Sequence, residues 1–219
     1  MMENINLKYY KPLEQMMSLR HQYMSNIIAS EANANIYNYF KNRQILDLGC
    51  GTGKFLHNYY ELGATCLGVD LVNNFQFQNK KNFKLINSNF KSFIKKNKIK
   101  FDVIFIFEFL EHLSVIEREA LFKYLPKILK TNGKVFLSTL NRNFISTFMS
   151  INIAENLLKL LPKNTHDPKL YLKPSEIQSL SEKNGLKLIN VQGMSYNPLL
   201  KSFRLSKIDL INYFATIKS

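Results

Sequence analysis

Two carboxylates and an imidazole occur close together in the middle of the chain, in the sequence Glu108-Phe-Leu-Glu111-His112. In a helical turn, positions i, i+3 and i+4 lie on one side, so the three side chains would face the same space. Such a group suits a divalent cation such as Mg²⁺, Mn²⁺ or Zn²⁺. We predict a reactive site here, with Glu111 and His112 as its catalytic groups. The alternative is that these two residues only cap and solvate the start of a helix.

A glycine-rich loop, Asp47-Leu-Gly49-Cys-Gly51-Thr-Gly53, precedes this group. A dinucleotide-binding GxGxxG loop would need glycine at Lys54, and the residues around the loop do not match a P-loop either. Asp70 follows Gly49 by about 20 residues, the distance at which a ribose-binding carboxylate is expected. The loop and the acid therefore predict a nucleoside-containing ligand. The alternative is a tight structural turn followed by a solvated acid.

Short apolar segments that alternate with helical stretches must position these residues. Because the apolar segments lack a period of two, they predict a parallel sheet that is covered on both faces, an α/β doubly wound fold. Helices are expected before Arg43, after the glycine loop to Leu62, and from about Ser114 to Lys130. The expected strands are Gln44–Leu48, Thr65–Val69, Phe83–Asn87, Phe101–Phe107, Lys134–Leu140, Leu186–Gln192 and a last one near Ile208–Ile217.

The composition is that of a globular chain with a sizeable core. The 219 residues are 46% hydrophobic and 21% charged, which excludes a disordered or fibrous protein. The two cysteines, Cys50 and Cys66, form no CxxC pair, which excludes a disulfide framework and a zinc knuckle. We find no signal peptide and no apolar run long enough to cross a bilayer, and we expect a soluble or peripheral protein.

The formal net charge of +14 allows three interpretations. It is either a by-product of AT-rich codons, or it attracts nucleic acid, or it attracts an anionic membrane surface. Arginine is scarce, which argues against a dedicated RNA-binding protein. The longest basic run contains no acid, and its members are Lys80, Lys81, Lys84, Lys91, Lys95, Lys96, Lys98 and Lys100.

The glycine loop with its later acid resembles class I methyltransferases that use S-adenosylmethionine. More specifically, nearly the whole chain is similar to the ubiquinone-biosynthesis O-methyltransferase family, which methylates polyprenylated catechols and demethylubiquinol. The segments that carry the resemblance are Lys11–Arg20, Ile45–Gly53, Gly63–Asp70, Phe101–His112, Ser138–Asn143, Leu161–Asp167, Lys173–Pro174, Tyr196–Pro198 and Asn212–Tyr213.

The resemblance implies a Rossmann-like class I methyltransferase fold with a mostly parallel, seven-stranded sheet. It implies S-adenosylmethionine and a divalent metal, Mg²⁺ by preference, as cofactors. A helical segment at residues 1–42 would precede a methyltransferase domain at 43–219. The cofactor-binding positions it implies are Arg20, Gly49, Asp70 and Phe107, and the metal-binding positions are Glu108, Glu111 and His112.

Residues 143–162 carry apolar side chains on one side, which indicates either a helix packed on the sheet or an interfacial helix that lies on lipid. A polyprenyl substrate favours the second interpretation. We expect a protein on the cytoplasmic face of the inner membrane (the matrix face in a mitochondrion), with a polyprenylated quinol, an anionic membrane surface and a ubiquinone-biosynthesis complex as partners, and no nucleic acid. Two other functions stay open: an RNA or other small-molecule methyltransferase, and a non-catalytic module that binds a membrane or a partner.

Overall fold

A computed structural model describes residues 7–32, 34–143, 146, 167–197, 202–209 and 211–219. Its helices are α1 (Leu7–Ala32), α2 (Ile36–Phe40), α3 (Lys54–Glu61), α4 (Phe90–Lys96), α5 (Val115–Ile128) and α6 (Pro174–Lys183), with short 3₁₀ turns at Leu110–His112 and Pro168–Leu170. Its strands are β1 (Gln44–Leu48), β2 (Thr65–Asp70), β3 (Phe83–Asn87), β4 (Phe101–Phe107), β5 (Leu129–Leu140), β6 (Lys187–Asn197), β7 (Ser202–Ser206) and β8 (Asn212–Lys218).

The strands form one sheet in the order β3-β2-β1-β4-β5-β8-β6-β7. The five strands from β3 to β5 are parallel, and β8, β6 and β7 join by antiparallel pairing. The prediction of a doubly wound, mostly parallel sheet is confirmed. The predicted number of seven strands is wrong, because the described residues contain eight. The additional strand, β7, is a short edge strand with polar Ser202, Arg204 and Ser206 at alternate positions, and the sequence pattern therefore did not reveal it.

Two hydrophobic cores cover the two faces of the sheet. On one face, α1, α2 and α3 bury residues such as Tyr23, Phe40 and Tyr59. On the other face, α4, α5 and α6 bury residues such as Phe93, Phe122 and Ile177. This confirms helices on both faces.

Several elements besides β7 depart from the predictions, including β6, which continues to Asn197, and β8, which begins at Asn212. Helix α4 was not predicted, because the run of lysines hides the apolar residues Phe90, Phe93 and Ile94, which the helix buries. Asn89 starts this helix by accepting a hydrogen bond from the Ser92 amide at 3.0 Å. Strand β5 begins five residues before the predicted Lys134, and α5 ends correspondingly early at Ile128.

The basic run mostly lies at the amino-terminal end of the parallel strands. Lys81 and Lys84 line a shallow cavity there together with Ile99 and Phe101. Lys95 and Lys96 are in the last turn of α4, which ends at the same end of the sheet. No described helix is long and apolar enough to cross a membrane. The predicted interfacial segment, residues 143–162, lies almost entirely outside the described residues.

Candidate active site

The carboxyl ends of β1, β2, β4 and β5 form one rim of the sheet, and the predicted site residues are found there. The glycine loop follows β1, Asp70 ends β2, and Glu108 follows β4. In an open α/β sheet, the crevice at this rim is the usual ligand site. The structure therefore brings the predicted glycine loop, Asp70 and Glu108 together at one end of the sheet.

The glycine loop has a left-handed backbone, which explains its composition. Gly49 and Gly51 have φ angles of 78° and 56°, in the region that side-chain-bearing residues rarely adopt. A Cβ atom on Gly49 would lie 2.7 Å from the Phe109 ring, whereas a Cβ on Gly51 would meet nothing within 4 Å. Gly49 is thus required by packing, and Gly51 keeps open a space that a ligand can enter.

This difference gives a matched pair of variants. We expect Gly51→Ala to lower the free energy of unfolding by about 1 kcal/mol, through backbone conformation alone, and to weaken cofactor binding. Gly49→Ala adds a clash with Phe109 and should lower the free energy of unfolding by about 3 kcal/mol. Urea denaturation and cofactor titration measure both effects. Equal destabilisation by the two variants would contradict this interpretation of the loop.

Asp70 ties the glycine loop to the end of β2. Its two carboxylate oxygens accept hydrogen bonds from the Gly51 amide at 2.8 Å and the Val72 amide at 2.9 Å. Each carboxylate oxygen can accept a second hydrogen bond, so both retain capacity for the hydroxyls of a ribose. The exposed side chains of Leu71 and Val72 follow directly and offer an apolar surface for a base.

Arg20 reaches the site from α1. Its guanidinium carbon lies 4.8 Å from the centre of the Phe107 ring and 5.5 Å from that of Phe55. Its Nε atom is buried and has no hydrogen-bond partner. Burial lowers the pKa of Arg20, and the negative charges of Glu108 and Asp47 act in the opposite direction. A half-buried arginine whose Nε is buried and unpaired is suited to bind a carboxylate of a ligand.

Asp47, at the start of the glycine loop, is 3% exposed. Burial raises its pKa to about 7, while Arg20 acts to lower the pKa and Asp70 to raise it. The sequence marked this residue only as part of the loop pattern.

The shifted pKa of Asp47 predicts a pH dependence of stability. Above an ordinary pKa of 3.8, the unfolded chain has released the Asp47 proton, whereas the folded chain keeps it up to about pH 7. The free energy of unfolding should therefore fall as the pH rises from about 4 to about 7, by up to about 4 kcal/mol from this group. Urea denaturation across this range should give a flatter profile for Asp47→Asn. Parallel profiles for the variant and the wild type would refute the assignment.

Glu108 and Glu111 are held by two neighbouring hydroxyls at the end of β5. The Ser138 hydroxyl donates to Glu108 Oε1 at 2.6 Å, and the Thr139 hydroxyl donates to Glu111 Oε2 at 2.8 Å. Glu108 has a φ angle of 49°, an unfavourable conformation for a residue with a side chain. Its backbone amide donates a hydrogen bond to the Ser138 carbonyl at 3.0 Å, which helps to fix this conformation. Backbone strain of this kind is typical of functional sites.

Glu111 is buried with one oxygen unsatisfied. It is 2% exposed, and its Oε1 atom has no hydrogen-bond partner. Burial raises its pKa well above the ordinary value, and the negative charge of Glu108 raises it further. The result is a basic carboxylate with an oxygen available to a ligand.

His112 is placed differently from the two carboxylates. It lies in a 3₁₀ turn and is exposed, whereas Glu111 in the same turn is buried. The expected α-helical turn, which would have put all three side chains on one side, does not form. Within the described residues, no group of three His, Cys, Asp or Glu side chains is arranged to hold a metal ion. The structure therefore assembles two of the three predicted metal ligands.

Arg118 is a site residue that the sequence did not indicate. It is 4% exposed, and its Nε donates to the Leu110 carbonyl at 3.0 Å, while a terminal nitrogen donates to the Leu170 carbonyl. It thereby joins the turn that carries Glu111 to the 3₁₀ turn at Pro168–Leu170. Ser138 was not assigned a role from the sequence either. Ser138 and Thr139 form a polar pair near the end of the apolar strand β5, and this pair was the available signal.

Comparisons with known proteins identify the family of this chain. A family model described as a methyltransferase domain matches residues 19–191. A ubiquinone biosynthesis O-methyltransferase from Pelagibacter ubique is 36% identical over 210 residues, which cover 93% of this chain and 87% of that protein. One from Coxiella burnetii is 34% identical over 181 residues, covering 80% and 76%.

Solved structures show the same fold. A plantazolicin methyltransferase with bound SAH has a TM-score of 0.68 at 16% identity, covering 98% of this chain and 89% of that one. Magnesium protoporphyrin IX methyltransferase from Synechocystis PCC 6803, also with SAH, has a TM-score of 0.61 at 13% identity, covering 100% and 88%. By its matches in sequence and fold, and with a rim that carries the glycine loop, Asp70 and the pair Glu108 and Glu111, this chain belongs to the ubiquinone biosynthesis O-methyltransferase family of S-adenosylmethionine-dependent enzymes.

Proposed function

We propose that this enzyme methylates ring hydroxyls of polyprenylated catechols and of demethylubiquinol. The observation that carries the proposal is the buried Glu111, with its raised pKa and its unsatisfied oxygen, at the rim that also carries the cofactor-binding loop. The names of the relatives supply the substrate class.

Cofactor binding is assigned to four predicted residues. Arg20 binds the methionine carboxylate, the backbone at Gly49 approaches the ligand closely, and Asp70 accepts hydrogen bonds from the ribose hydroxyls. Phe107 is 5% exposed and lies beneath the Arg20 guanidinium, so it acts mainly by holding that group in place. When bound, S-adenosylmethionine supplies its methyl group, whose carbon–sulfur bond breaks as the ring oxygen bonds to the carbon.

Glu111 prepares the ring hydroxyl for this reaction. A phenol has a pKa near 10, so only about one molecule in a thousand is ionised at pH 7. A carboxylate whose pKa is raised by burial accepts the phenol proton with a smaller free-energy penalty than an exposed one. Glu111 takes the proton on Oε1, and Thr139 holds the other oxygen in place. His112 remains the second proposed catalytic group, at the solvent side of the turn.

A divalent cation fits part of this arrangement. The paired carboxylates of Glu108 and Glu111, with one bare oxygen, have the donor chemistry that Mg²⁺ prefers. We propose that they hold the ion in place of the proton on Glu111 Oε1, with His112 as the third ligand once its exposed side chain turns toward them. The cation would lower the pKa of the substrate hydroxyl.

The same proposal places the enzyme on the inner face of the membrane, on its cytoplasmic or matrix side, because a polyprenyl chain remains in the bilayer. The net charge of +14 supports attraction to anionic lipid. A complex with other ubiquinone-biosynthesis proteins is a further expected partner. Arginine is scarce in the chain, which favours a lipid substrate over nucleic acid.

The test is radiolabelled methyl transfer from S-adenosylmethionine to a short-tailed demethylubiquinol, with Mg²⁺, with EDTA, and beside a bulk tRNA control. We expect a labelled quinol that disappears with EDTA. Label in the tRNA, or no quinol product despite measurable cofactor binding, would refute the proposed substrate. Undiminished product in EDTA would refute the metal alone.

A further inference from the structure

Three lysines form a row across the adjacent strands β5, β8 and β6. The strand register places Lys134 opposite Lys218, and Lys218 opposite Lys187. Residues that lie directly opposite each other on neighbouring strands point to the same face of a sheet, with Cβ atoms about 5 Å apart. Like charges in such positions repel each other and destabilise the pairing. The pairing of these strands therefore does not explain why three cations occupy one level of the sheet.

Lys134 is the buried end of this row. It is 6% exposed, and its ammonium lies 5.8 Å from the centre of the Tyr39 ring of α2. Within the part of the chain that the structure describes, this ammonium forms no hydrogen bond or ion pair. Burial lowers the pKa of Lys134, and the positive charges of Lys218 and Arg43 lower it further, whereas the nearby carboxylate of α1 raises it. A bound anion would offset the cost of burying this cation.

The acids nearest to the row already have partners. Glu31, at the end of α1, forms an ion pair with Lys218 at 3.9 Å. Asp102, at the start of β4, is shared by Lys130 at 2.8 Å and Arg43 at 3.6 Å. Among the described residues, the two outer lysines of the row are left without an ion pair. The site therefore has positive charge that the described acids do not balance.

The row leads from the core to the surface. The side chain of Lys218 is 35% exposed, and Lys187 at the other end of the row is exposed, so an anion can approach from the side of β6. The row is also separate from the active site. Lys134 lies five residues before Thr139, whose hydroxyl binds Glu111, and this corresponds to about 17 Å along β5.

We infer that the row of Lys134, Lys218 and Lys187 binds a phosphate group, either as the free ion or in the phosphate chain of a nucleotide. Lysine ammoniums bind phosphate as point charges, and their flexible stems let neighbouring ones converge on one anion. A phosphate group carries a charge of about −1.5 to −2 at pH 7 and three acceptor oxygens, which suits three cations better than a single carboxylate does. This site is independent of the proposed methylation and lies outside its machinery.

The test is isothermal titration calorimetry of the full chain with inorganic phosphate, at an ionic strength held constant with sodium chloride. We expect saturable binding by the wild type and at least about tenfold weaker binding by Lys134→Met, since a charge-assisted contact is lost. Lys187→Gln, at the exposed end of the row, should weaken binding by a factor of about three. Removing a buried, unpaired cation should leave the free energy of unfolding of Lys134→Met unchanged or raise it, which urea denaturation checks.

The matched control is Lys98→Met, which removes the same charge from an exposed lysine just before β4 and should bind phosphate as the wild type does. A second titration uses ATP, with S-adenosylmethionine present to occupy the cofactor site. ATP binding that is tighter than phosphate binding, and weaker in Lys134→Met, would identify a nucleotide as the source of the phosphate group. Phosphate binding without this gain would identify the free ion.

Three results would overturn the inference: no saturable binding of either ligand, an unchanged affinity in Lys134→Met, or an equal loss in Lys98→Met. The last result would mean that phosphate responds only to the net charge of the chain. Methyl transfer to demethylubiquinol and cofactor affinity should be the same in Lys134→Met and in the wild type. A failure of the phosphate site would therefore leave the proposed function intact, and an inactive wild type that still binds phosphate would count against the proposed function alone.

Discussion

Replacing Glu111 by Gln is expected to lower the rate of methyl transfer to demethylubiquinol by a factor of about 100 or more. The amide keeps the shape of the side chain and its hydrogen bond from Thr139, but it cannot accept the phenol proton. Loss of a positioned acid–base group commonly lowers the rate by a factor of about 10² to 10⁴. Radiolabelled transfer at saturating cofactor measures the effect.

The stability of the same variant provides its internal control. Because burial disfavours the charged form of Glu111, a neutral isostere should leave the free energy of unfolding unchanged or raise it. Cofactor affinity should also be retained. Glu119→Gln, on an exposed part of α5, is the matched variant and should keep full activity. Normal turnover by Glu111→Gln would exclude Glu111 as the proton acceptor.

Much of the fold could be predicted because its strands are continuous apolar segments. The bounds of β1, β3 and β4 agree with the prediction to the residue. The failures occur where tertiary pairing overrides local pattern. β7 exists only because it pairs with β6, and β5 extends backwards through Asn132, which adopts a φ angle of 61°.

The sequence indicates which elements carry the candidate site but not the geometry of its side chains. Glycines, an acid at the end of β2 and the Glu–His cluster identify the rim, because parallel strands bring their carboxyl ends together. The orientation of His112 could not be predicted, since it depends on whether the turn after β4 is α-helical or 3₁₀. Arg118 carries no local signal, because its partners are backbone carbonyls contributed by two different segments.

Three acids at this rim interact with Arg20. Glu108, Asp47 and Glu111 all act electrostatically on its guanidinium. Burial favours the neutral forms of Asp47 and Glu111. A positive group bound beside them would favour their ionised forms, so a cationic ligand such as the sulfonium of S-adenosylmethionine suits the site.

Arg20→Met should weaken the binding of S-adenosylmethionine by about a hundredfold, because the guanidinium is the proposed partner of the methionine carboxylate. Charge-assisted hydrogen bonds in a buried site account for a loss of this size. The methionine side chain can still pack against Phe107, so the free energy of unfolding should change little. Isothermal titration calorimetry with S-adenosylmethionine and with its demethylated product measures the affinities, and both should fall by the same factor.

The control for Arg20 is Arg43→Gln, which removes an arginine that pairs with Asp102 at 3.6 Å near the opposite end of the sheet. Its affinity for the cofactor should equal that of the wild type. The pKa of Asp47 gives a second readout, because Arg20 acts to lower it. In Arg20→Met the pKa of Asp47 should rise further, and NMR titration of that carboxyl would record it. Unchanged cofactor affinity together with a raised Asp47 pKa would show that Arg20 balances the buried acids without contacting the ligand.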